Sequence, residues 1–220
     1  MTGGNVAVHP AVSRLHQGRI VAIVRGVEGR YLRNFASAVC RGGIDMIEIT
    51  FDQKRPESFG ETAEAIALLA QNGEVLPGAG TVLTEEQVQM AYDAGAAYIV
   101  SPDVNPAVIQ KAKALGMACF PGALTPTEVH AAHAAGADAV KLFPASALGP
   151  GFIKALRAPL PHIPLIAVGG VDEKNAGEYI RAGAVGIGVG GKLTNREWIV
   201  GMEWGRIEAL ARALARAVRE

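Results

Sequence analysis

Residues 75–120 read VLPGAGTVLTEEQVQMAYDAGAAYIVSPDVNPAVIQKAKALGMACF. Three apolar runs, Val75–Gly80, Ala97–Val100 and Met117–Phe120, enclose two segments of helical period, Glu85–Ala94 and Pro106–Leu115. Runs this short, apolar on both faces, suit strands of a parallel sheet covered by helices on either side. The punctuation agrees. Thr84 precedes Glu85-Glu86 and Asn105 precedes Pro106, as N-caps do, while Gly95 and Gly116 stand where helices end.

The same rhythm continues in both directions. Ile20–Val24 and Ile44–Ile49 come before it, and Ala139–Phe143, Leu165–Val168 and Val185–Val189 after it, giving eight strands. Tyr31–Cys40, Ser58–Gln71, Thr127–Ala135 and Glu173–Arg181 carry further helical periodicity. Thr125 opens one of these helices, and Gly42-Gly43, Gly73, Gly136 and Gly183 mark helix ends. Eight strands alternating with helices predict an α/β chain folded as a closed (β/α)8 TIM barrel, one domain over residues 1–220. An open doubly wound sheet is the alternative, but the first turn lacks the Gly-x-Gly-x-x-Gly fingerprint. His9–Gln17 predicts a short helix under the barrel floor, and Trp198–Val218 one long C-terminal helix.

Composition narrows the function. The chain has 220 residues, and its 21 basic and 21 acidic side chains give no net field for nucleic acid. No stretch approaches the roughly 18 apolar residues of a membrane span. Met1–Pro10 lacks the charged and apolar regions of a secretory signal, so a cytoplasmic protein is expected. Cys40 and Cys119 make neither a disulfide framework nor a cysteine zinc site, and both read as buried thiols. None of the five histidines pairs with a carboxylate at a strand end, and His130 and His133 read as solvated helix positions. Neither a metal nor a cofactor is expected.

In such a barrel chemistry sits at the C-terminal ends of the strands. The sixth strand, Ala139-Val140-Lys141-Leu142-Phe143, alternates so that Lys141 shares the lumen face with Ala139 and Phe143. Of the seven lysines it alone is centred in an apolar strand. A buried amine loses proton affinity and becomes able to form an imine with a carbonyl. The second strand, Ile44-Asp45-Met46-Ile47-Glu48-Ile49-Thr50, puts Glu48 in the same lumen, where a carboxylate suits proton transfer or a plain ion pair with Lys141. Arg25 at the end of the first strand adds a fork for a substrate carboxylate or phosphate, with an ion pair to Glu48 as the alternative. The last two strands end in Gly169-Gly170 and Gly190-Gly191, where backbone N–H groups can approach a phosphate, and Lys192 adds charge.

From about Gly18 to Leu193 the chain resembles the KDPG/KHG aldolases, Schiff-base enzymes of class I. The likeness runs through Ile20–Arg25, Ile47-Glu48-Ile49-Thr50, Gly78-Ala79-Gly80-Thr81-Val82 and Ile99-Val100-Ser101-Pro102. It continues through Phe120-Pro121-Gly122, Thr125-Pro126-Thr127-Glu128, Lys141-Leu142-Phe143-Pro144-Ala145, Gly149-Pro150 and both Gly-Gly loops. The resemblance implies that Lys141 forms the imine and Glu48 is the acid/base. It also implies that Thr81 contacts the pyruvate carboxylate, Pro121 lines the substrate site, and Gly169, Gly170, Gly190 and Gly191 cradle phosphate. A homotrimer is implied as well. The expected reaction is cleavage of a 2-keto-3-deoxy-6-phospho sugar acid of the phosphogluconate type into pyruvate and glyceraldehyde 3-phosphate. The phosphogalactonate isomer and 4-hydroxy-2-oxoglutarate are alternative substrates.

Three positions depart from one branch of that family. Asp52 stands where the branch has a substrate-binding arginine, Val168 where it has threonine, and Lys192 where it has serine. An acid at 52 shifts anion binding elsewhere, with Arg25 the candidate. The Asp52 region and Phe143–Pro150 resemble another branch, which overlaps the 6-phosphogalactonate aldolases. Two other readings stay open: a sugar-phosphate isomerase or epimerase without an imine lysine, and a non-catalytic phosphosugar-binding barrel.

Overall fold

The computed structural model describes residues 8–220, so the reading of Met1–Pro10 lies largely outside the described residues. Nine strands, all parallel, form the sheet: β1 (Ile20–Val24), β2 (Met46–Thr50), β3 (Leu76–Gly80), β4 (Tyr98–Val100), β5 (Ala118–Phe120), β6 (Gly122–Ala123), β7 (Val140–Leu142), β8 (Leu165–Val168) and β9 (Gly186–Val189). Their order is β5-β4-β3-β2-β1-β9-β8-β7-β6. The two ends of that row, β5 and β6, adjoin in the chain and are separated only by Pro121. They are one barrel strand broken by a residue with no N–H to give. The first half pairs with β4 and the second with β7, while the Pro121 carbonyl accepts from Lys141 N–H at 2.8 Å. The eight expected strands therefore close a barrel, with the fifth split in two.

Around the sheet lie α1 (Pro10–Gly18), α2 (Gly29–Arg41), α3 (Phe59–Asn72), α4 (Glu85–Asp93), α5 (Pro106–Ala114), α6 (Pro126–Ala134), α7 (Ala145–Arg157), α8 (Ala176–Arg181), α9 (Arg196–Val200) and α10 (Trp204–Ala217). None of these helices is long and apolar enough to cross a membrane. The expected caps form: Thr84 accepts from Gln87 N–H, Asn105 from Ala107 N–H, and Thr125 with Glu128 makes a reciprocal capping box. Gly43, Gly73, Gly95, Gly116, Gly136 and Gly183 all take positive φ where helices stop.

Three helical expectations change. The Glu173–Arg181 stretch becomes helical only from Ala176, because the Asp172 carboxylate takes the N–H groups of Lys174 and Asn175 in a local turn. No helix was read over 145–157, yet α7 forms there with a break at Gly149-Pro150, where Gly149 has φ 71°. That break interrupts the periodicity that would have revealed it. The single tail helix is instead α9 and α10. Glu203 N–H bonds to Trp198 C=O at 2.7 Å and Met202 N–H to Ile199 C=O at 3.1 Å, which terminates α9.

Side chains alternate across the strands into two cores. One face packs on the helices, with Ile47, Ile49, Ile99, Val140, Leu142 and Ile187 among its members. The other fills the lumen with Val21, Met46, Tyr98, Phe120, Ile166 and Val168. Helix α1 closes the lumen from below through Ala11 and Leu15. Helix α10 lies on α2, close enough at Gly42 that a Cβ there would run into Ala211.

Candidate active site

Alternation along β2 and β7 brings Glu48 and Lys141 into the lumen, as their positions in the sequence predicted. Both are buried, Glu48 at 2% exposure and Lys141 at 8%. They wall one small internal cavity together with Val21, Val100, Phe120, Ile166, Val168 and Gly188. Among the described residues no ion pair joins them within 4.0 Å, so the direct pair entertained from sequence is not made. The Lys141 ammonium instead lies 4.9 Å from the centroid of the Phe143 ring. Burial lowers the Lys141 pKa below the usual lysine value, Glu48 opposes that, and Arg25 adds to it. Burial likewise raises the Glu48 pKa, against the pull of Lys141 and Arg25. Each group is thereby biased toward its neutral form, which an amine nucleophile and a proton-transfer carboxyl both require.

Glycine makes the room for Glu48. Thr50 pairs in register with Gly80, and a Cβ on Gly80 would overlap the Glu48 carboxylate. At the next position Thr81 has φ 57°, uncommon for a residue with a branched Cβ. Its carbonyl accepts from Gln53 Nε2 at 2.7 Å, and Gln53 Oε1 accepts in turn from Gln87 Nε2 at 3.2 Å. Gln87 is buried, and its Oε1 takes the Leu83 N–H at 2.7 Å. Sequence reasoning missed this relay. The spacing from Thr84 to Gln87, a cap followed three residues later by glutamine, was the available signal.

Two cavities open at the mouth. One, about 580 Å³, is lined by Ile23, Arg25, Phe143, Val168 to Glu173, Gly188 to Lys192 and Thr194. All four glycines of the paired Gly-Gly loops thus meet in one place. Gly169 and Gly170 have φ 94° and 72°, which an ordinary side chain resists. Lys192 does not stand free there: it bonds to Glu173 at 3.0 Å and Asp172 at 3.1 Å. These carboxylates raise its pKa, Glu173 first. The second cavity, about 440 Å³, is lined by residues including Arg25, Thr50, Asp52, Gln53, Lys54, Arg55 and Thr81. Asp52 bonds to Arg55 at 2.9 Å, and this holds its carboxyl below the usual range.

Arg25 needs a correction. The sequence placed it in the lumen charge cluster, but it is exposed at the mouth, where the strand has run out and water reaches its guanidinium. It makes no ion pair among the described residues and borders both cavities. Pro121 sits between β5 and β6, beside the lumen. Cys119 is buried and its thiol is pushed up to about 12, chiefly by burial, whereas Cys40 is only partly buried.

Comparison with known proteins gives the family. The sequence profile described as KDPG and KHG aldolase matches residues 11–210. A probable 2-dehydro-3-deoxy-6-phosphogalactonate aldolase of Rhizobium meliloti (strain 1021) is 43% identical over 175 residues, covering 79% of this chain and 81% of the relative. The 2-dehydro-3-deoxy-6-phosphogalactonate aldolase of Escherichia coli K12 is 39% identical over 202 residues, 91% of this chain and 95% of the relative. A 2-dehydro-3-deoxy-phosphogluconate aldolase of Haemophilus influenzae is 31% identical over 203 residues, 91% and 93% of the two chains. Among solved structures, KDPG aldolase of Legionella pneumophila, with pyruvate captured as a covalent carbinolamine, superposes with a TM-score of 0.82 at 25% identity, over 92% of this chain and 97% of that one. With the profile spanning the barrel from its floor helix into α10, the chain belongs to the KDPG and KHG aldolase family.

Proposed function

We propose that the protein cleaves a 2-keto-3-deoxy-6-phospho sugar acid to pyruvate and glyceraldehyde 3-phosphate, with Lys141 as the imine-forming amine and Glu48 as the acid/base. The observation that carries this reading is the pair itself: a buried lysine with lowered proton affinity and a buried carboxyl with raised affinity, unpaired across one small cavity. The Lys141 amine attacks the C2 ketone and forms a carbinolamine. Glu48 gives a proton to the departing hydroxyl, loss of water leaves an iminium and an ionised Glu48, and the iminium draws electrons from the C3–C4 bond. Glu48 accepts the proton of the C4 hydroxyl as that bond breaks, and the aldehyde departs. The enamine takes a proton at C3, and hydrolysis frees pyruvate and the lysine.

Around this chemistry Thr81 receives the pyruvate carboxylate, and Pro121 lines the substrate site. The four glycines, Gly169, Gly170, Gly190 and Gly191, receive the phosphate at the far side of the mouth. Arg25, exposed and unpaired between the two cavities, supplies the anion contact that Asp52 cannot. A cavity of about 580 Å³ has the size of a small-molecule site. The family resemblance supports a homotrimer, and the composition supports a cytoplasmic protein.

A second reading concerns only the configuration at C4. The phosphogalactonate acid is favoured over the phosphogluconate acid by the names of the 43% and 39% identical relatives. The Asp52 region and Phe143–Pro150, which resemble the branch overlapping the 6-phosphogalactonate aldolases, point the same way. Borohydride reduction with pyruvate, followed by peptide mass spectrometry, tests the chemistry: an adduct on Lys141 is expected, and none in folded protein points to an isomerase or a binding barrel. Assay of both C4 isomers then decides the substrate, with the larger kcat/KM expected for the phosphogalactonate acid.

A further inference from the structure

Tyr98 projects from β4 into the lumen, fully buried, and its hydroxyl has no hydrogen-bond partner among the described residues. A buried hydroxyl without a partner is unusual in a native interior. The registers set Glu48, Gly78 and Tyr98 side by side on β2, β3 and β4. Gly78 has no side chain, and the Tyr98 ring occupies the space a Cβ would take. Two residues further along β3 the Glu48 carboxylate occupies the corresponding space over Gly80. Two glycines on one strand thus let a phenol and a carboxylate lean over the same backbone, one above the other. Phe120, its ring tilted against Tyr98 with centroids 5.5 Å apart, also walls the cavity shared by Glu48 and Lys141. Like the phenol, the Glu48 carboxylate accepts no hydrogen bond from the described residues.

We propose that Tyr98 is a positioning residue for Glu48: its hydroxyl donates to a lumen water that in turn donates to the Glu48 carboxylate, holding that carboxylate above Gly80 and toward Lys141. Glu48 and Lys141 wall the small cavity where such a water would sit, and Phe120 carries that wall to the Tyr98 ring. The phenol serves as a permanent donor, because burial, then Glu48 and Asp45, holds its pKa well above the usual tyrosine value. The charged groups acting on Glu48 are Lys141 from β7 and Arg25 from the mouth, and neither makes an ion pair with it within 4.0 Å among the described residues. The tyrosine, set across Gly78 from Glu48 in the strand register, is an uncharged polar group on which its orientation can rest. The inference relies on the reading of Glu48 as the acid/base.

Tyr98→Phe removes one oxygen and keeps the ring. The test follows the Glu48 side chain by carbon-13 NMR titration in wild type and variant, alongside thermal denaturation and the pH profile of kcat. Loss of the donor is expected to raise the Glu48 midpoint by about one pH unit. It is also expected to lower kcat about fivefold at neutral pH, with KM nearly unchanged and no gain in Tm. An unchanged midpoint overturns the proposal, whether Tm rises, as removal of an orphaned hydroxyl would cause, or falls, as simple loss of packing would. Because the titration needs no turnover, it decides the Tyr98–Glu48 link even where pyruvate fails to trap on Lys141, the result that would defeat the aldolase reading itself.

Discussion

Lys141 keeps its amine in a lumen where burial lowers proton affinity, and the attraction of Glu48 only partly offsets that effect. Its folded-state pKa lies below the unfolded value, so the charged lysine destabilises the fold at neutral pH. That destabilisation fades as pH climbs from the lowered folded value to the ordinary lysine value of 10.5. Glu48 has the opposite sign. Its raised pKa makes the ionised form unfavourable above the usual glutamate value, and the effect vanishes as pH falls below it. Lys141→Met should abolish turnover while stabilising the protein by about 1 kcal/mol at pH 7. Thermal denaturation from pH 7 to 10 checks this: the gap between variant and wild type should narrow as pH rises, and a variant less stable than wild type at pH 7 would sink the argument. Alternation along β2 and β7 sufficed to put both residues in the lumen. Only packing shows that Tyr98 and Glu48 share the strand between them, because the two glycines that allow it look unremarkable in a list of letters.

Helix termini carried much of the fold in the sequence, and one of them is imperfect. Helix α9 ends with the 6→1 and 5→2 hydrogen bonds of a Schellman motif, whose left-handed position falls on Met202 with φ 54°. The glycine that would suit it stands one residue earlier, at Gly201, where φ is −74°. A left-handed non-glycine residue is strained by roughly 1–2 kcal/mol. Met202 is exposed and makes little packing to lose. Met202→Gly should therefore raise stability by about 1 kcal/mol, read as an upward shift in Tm with unchanged aldolase kinetics. The mismatch also explains why the tail read as one helix: the stop is written in the backbone bonds, with no glycine at the usual place. Similarly, the sequence reads the fifth strand only over Met117–Phe120, because Pro121 ends the apolar run, and pairing with a different neighbour reveals its second half at Gly122-Ala123.

At the scale of the molecule, barrel closure gathers the ends of β1, β8 and β9 around one mouth, with Arg25 and both Gly-Gly loops on the wall of one cavity. The homotrimer proposed from the family resemblance predicts a sedimentation mass near three times the 22.9 kDa chain, and a monomeric species at micromolar concentration would overturn it. The sequence by itself determined the architecture, because strand and helix periods, caps and helix-ending glycines are local properties repeated along the chain. It also determined the lumen pair, because side chains in a strand alternate with a period of two. The tertiary structure alone decided what depends on the distance between remote segments. It put Arg25 in solvent at the mouth, tied Lys192 to Asp172 and Glu173, and fixed the Thr81 backbone through Gln53 and Gln87. These outcomes depend on how far a side chain reaches and which neighbour from another turn of the barrel meets it, and neither is encoded in any single stretch of sequence.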